Sequence, residues 1–244
     1  MLGRLPLYPG RVPGQPLPSP SRRRVRSYVL RGGRTTRAQQ RAIRDYWSFW
    51  GIQPDRLSDL DSLFGRRAPC VLEVGFGNGE SLLSMAQAMP GINFIGADVY
   101  PAGIGRLLQG IAHHELKNIR IWQGDAKSML KTDLAPRTLD AVQVFFPDPW
   151  PKRRHHKRRL VRAEFLQLCA SRLRPRGLVH LVTDWEGYAR EMLAAAEKEG
   201  CWENIAGANH FSPRAPWRPV TCFEKRAGRE GRAVFELLFL CRDG

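Results

Sequence analysis

The chain has 244 residues, of which 43% are hydrophobic, and a net charge of +16. That length suits one α/β domain with an extension and can supply a sizeable core, so global disorder and a stapled mini-protein are both excluded. The five cysteines are scattered without a CxxC pair, which argues against a disulfide framework or a zinc module and fits a reducing, cytoplasmic setting, and no apolar run approaches the ~20 residues of a membrane span.

Residues 1–44 hold eleven Arg and no acid, whereas the remaining 200 residues carry only +5. Within residues 1–26, six Pro, three Gly and six Arg occur without hydrophobic periodicity, which predicts a disordered basic arm. Three readings stay open for the arm: a solvated tail, an RNA-contacting segment, or a targeting peptide, the last disfavoured by its proline density. The ordered domain, 27–244, starts with a short extended piece over 27–30 and a helix over 36–50. Strands follow over 70–74, 93–97, 119–122, 139–146 and 178–183. Helical patterns separate or follow them over 80–89, 102–116, 164–173 and 186–198. This alternation means βαβ units, hence an α/β fold with a mostly parallel sheet. The last apolar strand, 234–241, has no helix after it and reads as an antiparallel C-terminal strand.

Ligands of such sheets bind beyond the carboxyl ends of the strands. Those ends carry Glu73, Asp98, Asp125, Asp148 and Asp184, which predicts a cleft lined with acceptors. The first end runs Glu73-Val74-Gly75-Phe76-Gly77-Asn78-Gly79 into a helix, a glycine turn that lets the backbone pass close to a ligand. Its spacing is GxGxG rather than GxGxxG. A carboxylate at Glu73 would repel a pyrophosphate and attract an ammonium group, which favours S-adenosylmethionine over a dinucleotide. Asp98 stands where an acid can accept from ribose hydroxyls, and Asp125 where it can receive the adenine amine. Helix-cap or turn roles remain open for both.

The most specific stretch is Phe145-Phe146-Pro147-Asp148-Pro149-Trp150-Pro151-Lys152, continued by Arg153-Arg154-His155-His156-Lys157-Arg158-Arg159. Three prolines stiffen the exit of the fourth strand and pre-organise Asp148. Trp150 could stack on a substrate base or pack under the loop. The basic run behind it reads as a phosphate-contacting loop. Adjacent His155 and His156 side chains diverge, and no third ligand stands near them, so no metal site is expected.

This segment resembles the signature of the tRNA (guanine-N7)-methyltransferases, the TrmB family. So do Glu73-Val74-Gly75-Phe76-Gly77, Thr183-Asp184-Trp185 and Thr221-Cys222-Phe223-Glu224. The resemblance runs from about residue 28 to the last strand. It implies a Rossmann-like class I S-adenosylmethionine-dependent methyltransferase fold, and methyl transfer to N7 of guanine 46 in the variable loop of tRNA. The implied cofactor residues are Glu73, Gly75, Gly77, Asp98, Asp125 and Asp148, the last also catalytic. Lys152, Asp184, Thr221 and Glu224 fall on the substrate side, and Arg153, Arg154, His155, His156, Lys157 and Arg158 on the RNA side. Two positions depart from the family pattern: Asp98, where Glu is common, and Cys222, where Lys is frequent. Two other readings are methylation of an exocyclic amine and a non-catalytic RNA-binding relative. Oligomeric state is not legible.

Overall fold

Thr36 opens the first helix with a capping box: its hydroxyl accepts from the Gln39 N–H, and the Gln39 side chain accepts from the Thr36 N–H. The computed structural model describes residues 35–53 and 56–242. The predicted arm over 1–26 and the extended piece over 27–30 lie outside the described residues. In chain order the elements are α1 (Arg37–Trp50), α2 (Leu60–Phe64), β1 (Cys70–Val74), α3 (Glu80–Ala88), β2 (Asn93–Asp98), α4 (Pro101–His113), β3 (Ile119–Gln123), α5 (Ala126–Thr132) and β4 (Leu139–Phe145). A 3-10 turn (Arg153–Arg158) comes next. It is followed by α6 (Ala163–Arg172), β5 (Leu173–Thr183), α7 (Glu186–Lys198), β6 (Trp202–Asn204), α8 (Cys222–Arg229) and β7 (Phe235–Cys241).

The strands form one seven-stranded sheet in the order β3-β2-β1-β4-β5-β7-β6. From β3 to β5 every neighbour is parallel, and β7 runs antiparallel to both β5 and β6. The predicted mostly parallel sheet with an antiparallel C-terminal strand is therefore what forms. One apolar layer joins Leu72, Val142 and Leu181 of the sheet to Phe165, Tyr188 and Met192 of α6 and α7. The opposite layer joins Phe94, Phe145 and Val182 to Leu82, Ile104 and Leu107 of α3 and α4, with Ala42 of α1 buried against them. Parallel strands covered on both faces read as near-continuous apolar runs, which is why they were legible.

The differences have local causes. The strand expected over 178–183 begins earlier, at Leu173, because a bulge carries Pro175, Arg176 (φ 58°) and Gly177 across a register jump. Pro and Gly read as a break in sequence, yet a bulge accommodates both. Among the described residues, α2, α5, α8 and β6 were not predicted. Each has eight residues or fewer, too few for a period to show.

Candidate active site

The strand order reverses between β1 and β4, and beyond their carboxyl ends lies a cleft of about 370 Å³. That volume falls within the roughly 300–1,000 Å³ of small-molecule sites. Gly75, Gly77, Asp98, Asp125, Phe146 and Asp148 line it, with Phe223 reaching in from α8. Gly75 (φ 75°) and Gly77 (φ 58°) adopt left-handed backbone, and a Cβ on either would project into open space. A ligand can therefore lie directly on this backbone. Gly103 of α4 supports the turn from behind, since a Cβ there would stand 1.9 Å from the Gly77 carbonyl oxygen.

Asp98 is tied to the same turn. One carboxylate oxygen accepts from the Gly77 N–H at 2.8 Å and the other from the Tyr100 N–H at 2.9 Å. Burial holds its pKa above the ordinary value despite those bonds. Asp125 N-caps α5, its Oδ1 accepting from the Lys127 N–H at 3.2 Å. The cap reading thus holds for Asp125 while its carboxylate still borders the cleft.

Glu73 lies beneath the turn and does not line the main cleft. Its oxygens accept from Ser81 Oγ at 2.7 Å and Gln143 Nε2 at 2.9 Å. It borders an adjoining cavity of about 30 Å³, lined also by Thr221 and Cys222, that shares Gly75, Asn78, Phe146 and Phe223 with the main cleft. Burial pushes its pKa up to about 7, against the lowering effect of the Ser81 and Gln143 bonds. Folded chains therefore hold this proton more tightly than unfolded ones. The stabilisation is complete below the ordinary value of 4.5 and is lost as pH rises through about 7. Relative to Glu73→Gln, the wild type is expected to lose up to about 3 kcal/mol between those limits and to change little above pH 8. Urea unfolding of both proteins at several pH values measures it; parallel pH profiles would contradict the assignment.

Asp148 sits on a strained ledge. Phe146 (φ 51°) and Trp150 (φ 45°) flank it in left-handed backbone, each at a cost of about 1–3 kcal/mol. The Phe146 N–H donates to the Val182 carbonyl at 2.8 Å, and its ring stacks on Phe223 at 5.9 Å. Trp150 turns away from the cleft. Its ring meets His155 at 5.7 Å and the Arg158 guanidinium at 4.9 Å, so the packing role, not base stacking, is the one it fills. Behind it Arg159 is almost fully buried. Arg159 donates from Nε to the Pro149 carbonyl at 2.8 Å, lies 4.8 Å over the Tyr188 ring, and reaches Glu191 of α7 at 2.5 Å. Lys152, Arg153, Arg154, Lys157 and Arg158 are exposed around the turn. The two histidines diverge: His155 faces Trp150, whereas His156 Nδ1 lies 3.2 Å from Glu191.

The substrate-side candidates stand apart from the main cleft. Asp184 pairs with Arg232. Thr221 N-caps α8, accepting from the Glu224 N–H at 3.2 Å. Glu224 takes Arg218 at 2.6 Å and Arg214 at 3.2 Å. Partial burial would raise its pKa, but these guanidiniums hold it below the ordinary value. Arg218, itself buried, also binds Glu236, which bonds His180 at 2.6 Å. The expected cleft of five carboxylates is thus corrected to three, Asp98, Asp125 and Asp148. Glu73 sits under its floor and Asp184 beside it in an ion pair. Arg159, Arg218 and Tyr100 were missed: one hides in a basic run, one in a loop without periodicity, and one contributes through its backbone. Phe223 lies inside the Thr221-Cys222-Phe223-Glu224 motif, which by itself gives it no role.

A glycine turn at the switch point, a carboxylate at the end of β2 and a rigid Pro-Asp-Pro exit from β4, on this strand order, define a class I methyltransferase. Its methyl donor is S-adenosylmethionine. The structure of the 16S rRNA methyltransferase KamB shares the fold, with a TM-score of 0.56 at 18% identity over 75% of this chain and 93% of that one. A family model described as "Putative methyltransferase" matches residues 67–237. The tRNA (guanine-N(7)-)-methyltransferase of Thiobacillus denitrificans is 48% identical over 221 residues, 90% of this chain and 96% of the relative. Its counterpart from Methylococcus capsulatus is 46% identical over 217 residues, 89% and 94% of the two chains. The chain belongs to the tRNA (guanine-N7-)-methyltransferase family, as its motifs predicted.

Proposed function

We propose that this chain transfers the methyl group of S-adenosylmethionine to N7 of guanine 46 in the variable loop of tRNA. The observation that carries this reading is the rigid presentation of Asp148 at the mouth of a glycine-turn cleft, with an exposed basic turn directly behind it. The activity of the relatives, tRNA (guanine-N(7)-)-methyltransferases, supplies the acceptor base. When bound, S-adenosylmethionine supplies an electrophilic methyl group on a cationic sulfonium. Guanine N7 carries an in-plane lone pair and no proton, so no residue has to generate the nucleophile. The protein's task is alignment. Gly75 and Gly77 give backbone approach, Asp98 and Asp125 offer acceptors to ribose and adenine, and Glu73 braces the glycine turn under the ammonium end from beneath, through Ser81 and Gln143. Asp148 then faces the cation that develops on the base.

Lys152, Asp184, Thr221 and Glu224 are assigned to the substrate side. Because Asp148 lines the cleft while Glu224 and Asp184 do not, Asp148 is the carboxylate we assign to the guanine edge, and the others to shaping the site. Arg153, Arg154, His155, His156, Lys157 and Arg158 are assigned to tRNA phosphates. Residues 27–244 form the methyltransferase domain in this reading, and the basic arm over 1–26 adds phosphate contacts. No helix among the described residues is long and apolar enough to cross a membrane, and we assign the protein to the cytoplasm, where tRNA is.

The test is methyl transfer from labelled S-adenosylmethionine to an unmodified tRNA transcript, with nucleosides identified by mass spectrometry. N7-methylguanosine mapping to position 46 is expected. An N-methylated exocyclic amine would keep the cofactor and reject the acceptor atom.

A further inference from the structure

The described chain exposes six large apolar residues, Tyr46, Phe49, Ile205, Trp217, Val220 and Phe223, and three of them fall within positions 217–223. That short segment touches the active-site cleft, because Phe223 lines it and stacks on Phe146. It is held rigidly. Arg218, 2% exposed, is clamped by Glu224 and Glu236, and the Arg214 guanidinium bonds the Arg218 carbonyl at 2.5 Å. The inner edge of Trp217 meets the buried His180 ring at 6.2 Å, which leaves the indole 47% exposed. With Val220 and Phe223 it gathers exposed apolar surface into one short segment, and exposed apolar patches mark interaction sites.

Charge says what could cover it. Residues 213–232 hold six Lys and Arg against two acids, and both acids are already consumed internally, Glu224 by Arg214 and Arg218, Glu230 by Arg226 and Arg232. Lys225 and Arg229 project from the exposed side of α8. This bank packs on the α3/α4 face of the sheet through Phe146. The 153–158 turn is anchored on the opposite face, through Arg159 and Tyr188. Cations interleaved with exposed aromatics, on a rigid support beside a cleft, fit unstacked nucleobases joined by phosphates.

We propose that the Trp217–Val220 surface and the outer side of α8 form a second RNA-binding bank. A nucleotide neighbouring the target guanine stacks on Trp217, and adjoining phosphates meet Lys225 and Arg229. The inference rests on tRNA being the substrate. It extends the footprint across the cleft from the basic turn, so that the target base is drawn out between two fixed contacts.

The test compares Trp217→Ala, Trp217→Phe and the double variant Lys225→Ala/Arg229→Ala with wild type. It measures KM for tRNA at several salt concentrations and Kd for S-adenosylmethionine. Trp217→Ala is expected to raise KM between about fivefold and 100-fold, as loss of one base stack does, with an unchanged salt slope. Trp217→Phe, which keeps a stacking face and guards against a folding defect, should recover most of that loss. The double variant should lower the magnitude of the salt slope by roughly 0.7–0.9 per contact removed. Cofactor Kd should not move in any of them. KM within twofold of wild type in both Ala variants overturns the inference, as does a fall in kcat at constant KM. A change in self-association without a change in KM overturns it too and assigns the surface to a second copy of the chain. If wild type itself forms no N7-methylguanosine, the activity reading fails instead, and the two failures are told apart by that first measurement.

Discussion

Replacing Asp148 with alanine is expected to lower kcat about 10²–10³-fold, the range seen when one electrostatic stabiliser of a transition state is removed, while cofactor Kd changes less than about threefold. The asymmetry follows from the site. The cofactor side of the cleft is built by the glycine turn, Asp98 and Asp125, all of which survive the substitution. Asp148 is the carboxylate presented from β4 on backbone strained at Phe146 and Trp150. Strain of that kind persists only where surrounding structure enforces it, and here it fixes one carboxylate at the mouth of the cleft. Methylation at N7 turns a neutral base into a cation, so a fixed negative charge counts for more in the transition state than in the ground state. Asp148→Asn separates charge from shape. It keeps the side chain's size and one acceptor but loses the charge and presents an amide donor to the guanine N1–H. It should therefore resemble Asp148→Ala in kcat. Single-turnover rates and equilibrium cofactor binding measure both effects. An Asn variant near wild-type activity would reduce Asp148 to a spacer, and equal losses in kcat and cofactor affinity would move it to the cofactor side alone.

Most of the architecture was legible because it repeats. Five parallel strands buried on both faces produce apolar runs such as the one ending at Phe145, and α1 announces itself through Thr36 and Gln39. The glycine turn and the Pro-Asp-Pro exit were legible for a different reason: few backbones use those residues together. What stayed hidden is what depends on three-dimensional partners. Glu73 stands one residue before the end of its strand, and nothing in the sequence says that Ser81 and Gln143 occupy both its oxygens below the floor. Thr221 and Glu224 read as site residues, yet Thr221 caps the first turn of α8 and Glu224 is held by Arg214 and Arg218 from a loop that shows no periodicity. Trp150 offered two opposite roles, and only the positions of His155 and Arg158 choose between them.

Arg159 has the largest expected effect outside the cleft. It is one of several arginines in a basic run, but its neighbours are exposed and it is 2% exposed. Its Nε bonds the carbonyl of Pro149, the residue after Asp148, and its guanidinium lies between the Tyr188 ring and the Glu191 carboxylate of α7. Tyr188 in turn accepts from the Val161 N–H at 2.8 Å. The segment leaving β4 and the segment returning to α6 are thus fastened to one point on α7. Arg159→Met keeps the aliphatic packing but leaves the Pro149 carbonyl without its donor and takes the guanidinium from Glu191, which keeps only His156 beside it. The expected cost is about 2–4 kcal/mol of stability, a fall in Tm of roughly 10 °C for a chain of this size. Below that temperature the folded variant should lose kcat by about 10²-fold, since a misplacement near 1 Å is enough for such a loss. KM for tRNA should move far less, because the phosphate-facing cations of the turn remain. Arg159→Lys separates positioning from mere folding. A lysine can pair with Glu191 or reach Pro149 but cannot hold both while stacking on Tyr188, so Tm should recover more than kcat. Parallel recovery of Tm and kcat in the lysine variant, or a loss confined to Tm in the methionine variant, would make Arg159 a structural residue with no part in placing Asp148.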